Sequence, residues 1–322
     1  MVDQDNLKEV YERELKPKLQ VLDALRKKVV RRQLLVLLCI VLLAGWFLSG
    51  TIETQPVFFW ILFAVLVGGS IYFGVKAGSM WRDYRGKYKE EVVREIVRLI
   101  DPEWTYAPDQ MISPHEYQQS DLFRRSYDRY RGDDLISGTL DKTDFRCSEL
   151  HTEYRDVSYD KDGKRKERWV TIFRGLLFHA DFNKHIKGQT YIEPDTAERL
   201  FGKWGQKFQM SSKGKLVKLE DRDFEKLFAV YATDQTEARY ILTPAIMEAL
   251  VNIRKQFGRK MHLSFIGARV FVALHFSKSL FEPRMYSSCL RFEDVSFMHA
   301  LFMMNAIIIK ELNLNTRIWT KE

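Results

Sequence analysis

Residues 34–50 read LLVLLCIVLLAGWFLSG and residues 57–75 read VFFWILFAVLVGGSIYFGV, and neither run holds a charged side chain. At about 1.5 Å of rise per residue, helices of this length reach across the hydrocarbon of a bilayer. A helix buried in a soluble core usually keeps a polar stripe, whereas these two are apolar all round. The link from Thr51 to Pro56 is short and carries only Glu53, so the two runs predict an antiparallel membrane hairpin.

The flanks change character at once. Arg26, Lys27, Lys28, Arg31 and Arg32 precede the first run, and Lys76, Arg82, Arg85, Lys87 and Lys89 follow the second. Cations on both outer flanks and none in the turn predict that both termini face the cytoplasm. The localisation expected is therefore a bacterial inner (plasma) membrane, crossed twice. Trp46, Phe47, Phe58, Phe59, Trp60, Tyr72, Phe73 and Trp81 sit near the expected interfaces, as an aromatic belt does. The first run does not read as a cleaved signal, because 33 mostly polar residues precede it and no convincing small-x-small site follows.

Around the hairpin, the sequence divides into a cytoplasmic amphipathic helix (1–33), the hairpin itself (34–75), a juxtamembrane helical stalk (76–101) and a cytoplasmic α+β domain (102–322). The first helix carries its stripe at Leu7, Val10, Tyr11, Leu15, Leu19, Leu22, Leu25 and Val29, with Pro17 as an expected kink or start. The stalk stripe runs Tyr84, Tyr88, Val92, Ile96 and Ile100, and the two stripes can pack together.

A chain of 322 residues with 51 Lys and Arg against 43 Asp and Glu has a formal charge of +8. Cations beside anionic lipid account for that excess. They alternate with acids and form no clean basic stripe, so no nucleic-acid partner is expected. Three cysteines, one of them Cys39 inside the first run, make no disulfide framework and fit a reducing compartment.

After Pro102 a segment rich in Pro, Gln and Tyr runs to Gln119, and a short helix is expected from Ser120 to Tyr130. Gly132, Asp133 and Asp134 predict a turn into a strand. From Thr143 the alternation of Phe145 and Cys147 predicts a strand, with a slip before Leu150 that reads as a bulge or a misplaced strand. Asp160 to Lys164 is a hairpin turn, because Asp-Gly accepts positive φ. A return strand follows from Glu167 to Phe182. Beyond it the sequence predicts a strand at Tyr191 and Ile192, a helix from Thr196 to Lys203 and a loop from Gly205 to Gly214. Strands at Lys215 to Glu220 and Lys226 to Ala232 come next. Thr243 and Pro244 open a helix that Gly258 ends. Met261 to Phe265 and Val270 to Phe276 predict a hairpin around Gly267 and Ala268. The last helix, Phe292 to Leu312, buries Phe297, Leu301, Met304, Ile308 and Leu312. Asn305, Lys310 and Glu311 argue against a third span. The fold class expected is α+β, a two-span hairpin plus a largely antiparallel sheet with a closing C-terminal helix.

The stretch Asp133 to Gly138 with Phe145 beyond it, the run from Phe228 to Pro244 containing DQTEARYILTP, and Phe281-Glu282-Pro283 resemble the DUF3137 family of bacterial proteins. The resemblance covers most of residues 90–312. It implies a membrane-attached protein, often with two spans, and names no activity.

Asp234, Glu237, Arg239 and Tyr240 form the most distinctive polar run. They either join strand to helix or present a recognition patch in which the arginine forks to a carboxylate or phosphate. Cys147 with His151, and His179 with Asp181 and His185, have irregular spacing for a metal site, and Asp133 with Asp134 reads first as turn and then as cation site. No phosphate-binding loop or nucleophile elbow appears. No catalytic residue, cofactor or metal is expected. The expected function is a membrane-anchored interaction or scaffold protein with a protein partner not identified by sequence. The alternatives are a module that reads anionic lipid, with a small barrel of the pleckstrin-homology type, and a small-molecule-binding enzyme.

Overall fold

The computed structural model describes residues 4–48, 57–181, 186–195 and 213–311. The expected turn Thr51 to Pro56, His185, the helix from Thr196 to Lys203, Gly205 to Ser212 of the expected loop, and Leu312 lie outside the described residues. The chain divides into two units: Met1–Leu99 with Phe281–Met298, and Ile100–Leu280 with His299–Glu322.

In the first unit an α-helix, Gln4–Val10, passes through a π-helical turn, Tyr11–Leu15, into the helix Lys16–Leu48. The π turn has two causes in the sequence. Pro17 has no N–H to give to a carbonyl four residues back, so the ladder must shift locally. The stripe Leu7, Tyr11, Leu15, Leu19 also steps by four, and a wider turn cancels the drift that a 3.6-residue helix would accumulate. All four side chains are buried. The second rod is Val57–Tyr88, a π turn at Lys89–Val93, and Arg94–Ile100. Tyr84, Tyr88, Val92, Val93, Ile96 and Val97 are buried, so the turn widens the expected stripe to both residues of each pair.

Both long helices are apolar enough to cross a membrane, and only 6% of each apolar window is buried within the protein. Phe292–Lys310 also passes by length and composition, but 56% of its window is already buried.

Residues 281–298 fasten onto the rods. Tyr11 donates to the Leu290 carbonyl at 2.7 Å, Arg26 to the Met285 carbonyl at 3.0 Å, and Ser288 to Asp23 at 3.2 Å. Glu282 lies 3.3 Å from both Arg85 and the buried Lys89.

The second unit is α+β, built on a nine-stranded sheet in which every neighbouring pair is antiparallel. The strands are β1 (Thr105–Ala107), β2 (Arg129–Leu140), β3 (Thr143–Tyr159), β4 (Arg165–Asp181), β5 (Gln189–Pro194), β6 (Lys215–Val217), β7 (Phe228–Ala232), β8 (Met261–Ile266) and β9 (Arg269–His275). Their order is β1-β2-β3-β4-β9-β8-β5-β7-β6. Among the described residues β1 and β6 end the sheet, which is open there and forms no closed barrel of the pleckstrin-homology type.

Several local expectations change. The helix expected at Ser120 to Tyr130 is instead Pro114–Gln119, because Ser113 and Glu116 form a complete capping box around Pro114 at the first turn. Asp133 and Asp134 lie inside β2, at a bulge between Asp133 and Ile136, with Asp134 at φ 59°. The slip before Leu150 lies opposite that β2 bulge, since Asp133 pairs with Glu149 and Ile136 with Cys147. Cys147, Ser148, Glu149 and Leu150 are all buried because both faces of the sheet are covered there, and the register of β3 with β4 shifts at Thr152/Glu153. Phe297 is 43% exposed, outside the buried stripe expected of the last helix. Thr243 caps Pro244–Phe257 as expected, Gly258 ends it at φ 60°, and Gly267 turns β8 into β9 at the same φ.

Candidate functional site

Strand pairing gathers polar side chains from distant parts of the second unit. Thr105 pairs with Ser137, Ser137 with Arg146, Arg146 with His179, and Asp181 with Arg269. Residues two apart on a strand share a face, so Thr139, Asp144 and Asp181 join Ser137, Arg146 and His179 on one side of the sheet. The Pro114–Gln119 helix brings Glu116 to this floor, anchored by Tyr117 in a cluster with Leu150, Leu177 and Phe271. The result is a groove of about 760 Å³.

Its groups answer one another. Glu116 closes the capping box with Ser113 and accepts from Arg146 at 3.0 Å. Burial raises its pKa, but the Ser113 hydrogen bonds and the Arg146 charge outweigh burial and hold it below the usual range. His179 Nε2 lies 3.3 Å from the same carboxylate, without the alignment of a hydrogen bond. Burial above all, helped by Arg269 and Arg146 and opposed by Glu116, lowers its pKa to about 4, so the imidazole is neutral at pH 7. Thr139 donates to Asp144 at 2.6 Å, and Arg269 to Gln119 at 3.2 Å. This surface offers paired charges and hydroxyls, and suits polar recognition.

On the opposite face the β2 bulge turns Asp133 and Asp134 toward Glu149, with carboxylate oxygens within 4.8 Å of one another. Tyr106 donates to Asp134, and Glu149 accepts the Leu280 N–H at 2.8 Å. The adjoining cavity, about 190 Å³, also has Arg131 and Arg174 in its wall. Burial pushes Glu149 up to about 7, with the Leu280 N–H opposing and Asp133 adding. Three carboxylates are ligands suited to a hard divalent cation. Proton uptake by Glu149 and the two arginines balance the same charge. The two aspartates are legible as a pair in the sequence, but Glu149 is not, because only the bulge brings it to them.

The other expected pairs separate. Cys147 and His151 would face each other on a helix, but four residues along a strand span about 13 Å. Cys147 is buried, which raises its thiol to about 12. His179 and Asp181 share the groove floor. A half-buried ionic cluster was not legible: Glu193 on β5 meets Lys213 at 2.5 Å and also bonds His262 on β8.

In the distinctive polar run, Asp234 caps the Gln235–Ile241 helix, accepting from the Thr236 and Glu237 N–H groups at 2.8 and 3.1 Å. Glu237 accepts from the Lys187 and Gly188 N–H groups at 3.0 and 2.8 Å. Arg239 is exposed and, among the described residues, makes no ion pair; Tyr240 is 51% exposed. Two of the four residues therefore hold the backbone, and two project from it.

Fold and surface together define a class: an antiparallel α+β unit carried on a chain with helices apolar enough to span a membrane. Residues 171–314 match the family model described as a protein of unknown function (DUF3137), the family that the sequence resembles. Asp133 to Phe145 lies before the matched residues. No curated protein sequence matches the chain. The crystal structure of the mycobacterial trehalose monomycolate transport factor A, TtfA, is similar at 7% identity and a TM-score of 0.30, covering 68% of this chain and 93% of that one. A likeness at that score carries no argument about function.

Proposed function

We propose that this is a bacterial inner-membrane protein, anchored by the Leu34–Val75 hairpin with both termini in the cytoplasm, whose α+β unit binds a protein partner. The observation that carries the anchoring is the uncovered apolar surface of the two rods: Leu34, Leu37, Ile40, Val41, Ile61, Val65, Ile71 and Val75 are all more than half exposed. In water such a surface is far larger than a soluble monomer exposes. In hydrocarbon it carries no penalty.

Partner binding is supported by the pinned helix at Gln235–Ile241. Asp234 and Glu237 hold its backbone, so Arg239 and Tyr240 project from a rigid support, and these two residue types are enriched at interface hot spots. The test is in-cell crosslinking of the full-length protein, with and without Arg239→Ala, alongside thermal unfolding of both. Loss of a stoichiometric crosslinked partner at unchanged melting temperature is expected. Retention of every crosslink would contradict the patch.

A second reading, recognition of anionic lipid at the flanks, is favoured by one observation. Asp23 pairs with Arg26 and Lys27, and Glu282 with Arg85 and Lys89, yet Lys28, Arg31, Lys76 and Arg82 are exposed without an ion pair among the described residues. Four such cations beside the spans suit phosphate headgroups.

A further inference from the structure

The β3–β4 hairpin outruns the sheet. β2 leaves β3 at Glu153, and β9 reaches β4 only from Gly175 onward. From Tyr154↔Val170 to Tyr159↔Arg165 the two strands pair with each other alone. An isolated two-stranded ribbon is marginal in water. This one is braced at its base, where Arg125 stacks on Tyr154 at 3.3 Å and Arg129 on Trp169 at 3.2 Å, and the Arg155 N–H binds Asp128 at 2.7 Å.

The register then sorts the side chains. Arg155↔Trp169, Val157↔Glu167 and Tyr159↔Arg165 share one face, so Trp169, Val157 and Tyr159 form an apolar row along the arm. They are 39%, 38% and 70% exposed. Arg155, Glu167 and Arg165 alternate with these three on the same face and pair with one another, Glu167 lying 3.7 Å from Arg155 and 2.5 Å from Arg165. Lys161 and Lys164 stand at the tip beside Asp160 and Asp162, exposed and without an ion pair among the described residues. The Asp160 to Lys164 turn, with Gly163 at φ 74°, sets that tip.

We infer that this arm is a membrane-contact element, whose Trp169, Val157 and Tyr159 enter the headgroup region of an anionic bilayer while Lys161 and Lys164 meet lipid phosphate. Tryptophan and tyrosine are the side chains that favour the boundary between hydrocarbon and water, and cations at the same depth favour anionic lipid. A second copy of the chain is a poorer occupant, because residues 154–170 hold six Lys and Arg against four Asp and Glu, an excess that two like arms would oppose, and ion-paired arginines line the strand edges, a known defence against edge pairing. The inference rests on the proposed anchoring, which keeps the arm near a bilayer.

The test uses the full-length protein with Cys39→Ser and Val157→Cys, labelled at 157 with an environment-sensitive fluorophore. The two remaining native cysteines are buried. Lys142→Cys, at the opposite end of β3, is the reference position, and Asp162→Cys a second position on the arm. Nanodiscs are made of phosphatidylcholine alone or with phosphatidylglycerol. Expected at 157 and 162 is roughly twofold quenching by headgroup-proximal brominated lipid in the anionic discs, weaker in the neutral discs, and none at 142. Quenching at the arm no greater than at 142 would overturn the inference. Equal quenching in both lipids would overturn its anionic part, and a blue shift without quenching would put the arm against protein instead. Retention of the protein in discs through an alkaline wash reads the anchoring separately. Release there defeats the anchoring, while retention with an unquenched arm defeats only the arm.

Discussion

Glu149 concentrates the chemistry of the second unit in one carboxyl group. Its folded pKa of about 7 lies above the ordinary 4.5, so its stabilising contribution is complete below about pH 4.5 and is lost as pH rises through 7. Glu149→Gln keeps an acceptor for Leu280 and removes the titration. It is expected to leave stability near pH 4.5 almost unchanged and to raise it at pH 8 by on the order of 1–3 kcal/mol. Urea unfolding at both pH values measures this, and an equal effect at both would refute it. His179 works in the other direction. Its folded pKa of about 4 lies below 6.5, so stability present above 6.5 is lost as pH falls toward 4. Neither effect is visible in the sequence, since burial on both faces of β3 depends on what covers the sheet. The pair Ser113 and Glu116 was visible, as S-x-x-E with proline at the first turn, but the surrounding Pro, Gln and Tyr concealed it. Ser113→Ala removes the cap and is expected to cost about 1 kcal/mol in the same unfolding experiment.

At the scale of elements, the sequence was most legible where one period dominates. The Pro244–Phe257 helix has its cap, proline and terminal glycine in order, and the β8–β9 hairpin has its glycine at the turn. It was least legible where two constraints overlap. The stripe from Leu7 to Leu19 reads as a helix with Pro17 as its kink or start, whereas the structure answers both the four-residue steps and the proline with one π turn. The polar run at Asp234 to Tyr240 left two roles open, and the structure assigns backbone bonds to Asp234 and Glu237. The segment 281–298 had no pattern that tied it to the helical rods. Glu282 forms that tie through Lys89, which is 3% exposed. Glu282→Ala leaves a buried ammonium without that carboxylate and is expected to destabilise the first unit by roughly 3 kcal/mol. Exchange protection of amides in residues 84–97 reports it, and unchanged protection would show that the ion pair does not hold the segment.

For the whole molecule, the function proposed depends on which solvent surrounds the exposed apolar rods. A bilayer explains their composition, the cations at both outer flanks and the absence of charge from both runs. It also converts a surface that would drive aggregation in water into an anchor. The partner patch, the lipid-facing cations and the β3–β4 arm all take their meaning from that placement. It is tested most directly by labelling single cysteines in cells with a membrane-impermeant maleimide, using Glu53→Cys in the hairpin turn and Lys142→Cys in the α+β unit. The proposed topology predicts that position 53 reacts in intact cells with a permeabilised outer envelope, and that position 142 reacts only after lysis. Reaction at 142 in intact cells, or protection of 53 until lysis, would contradict it.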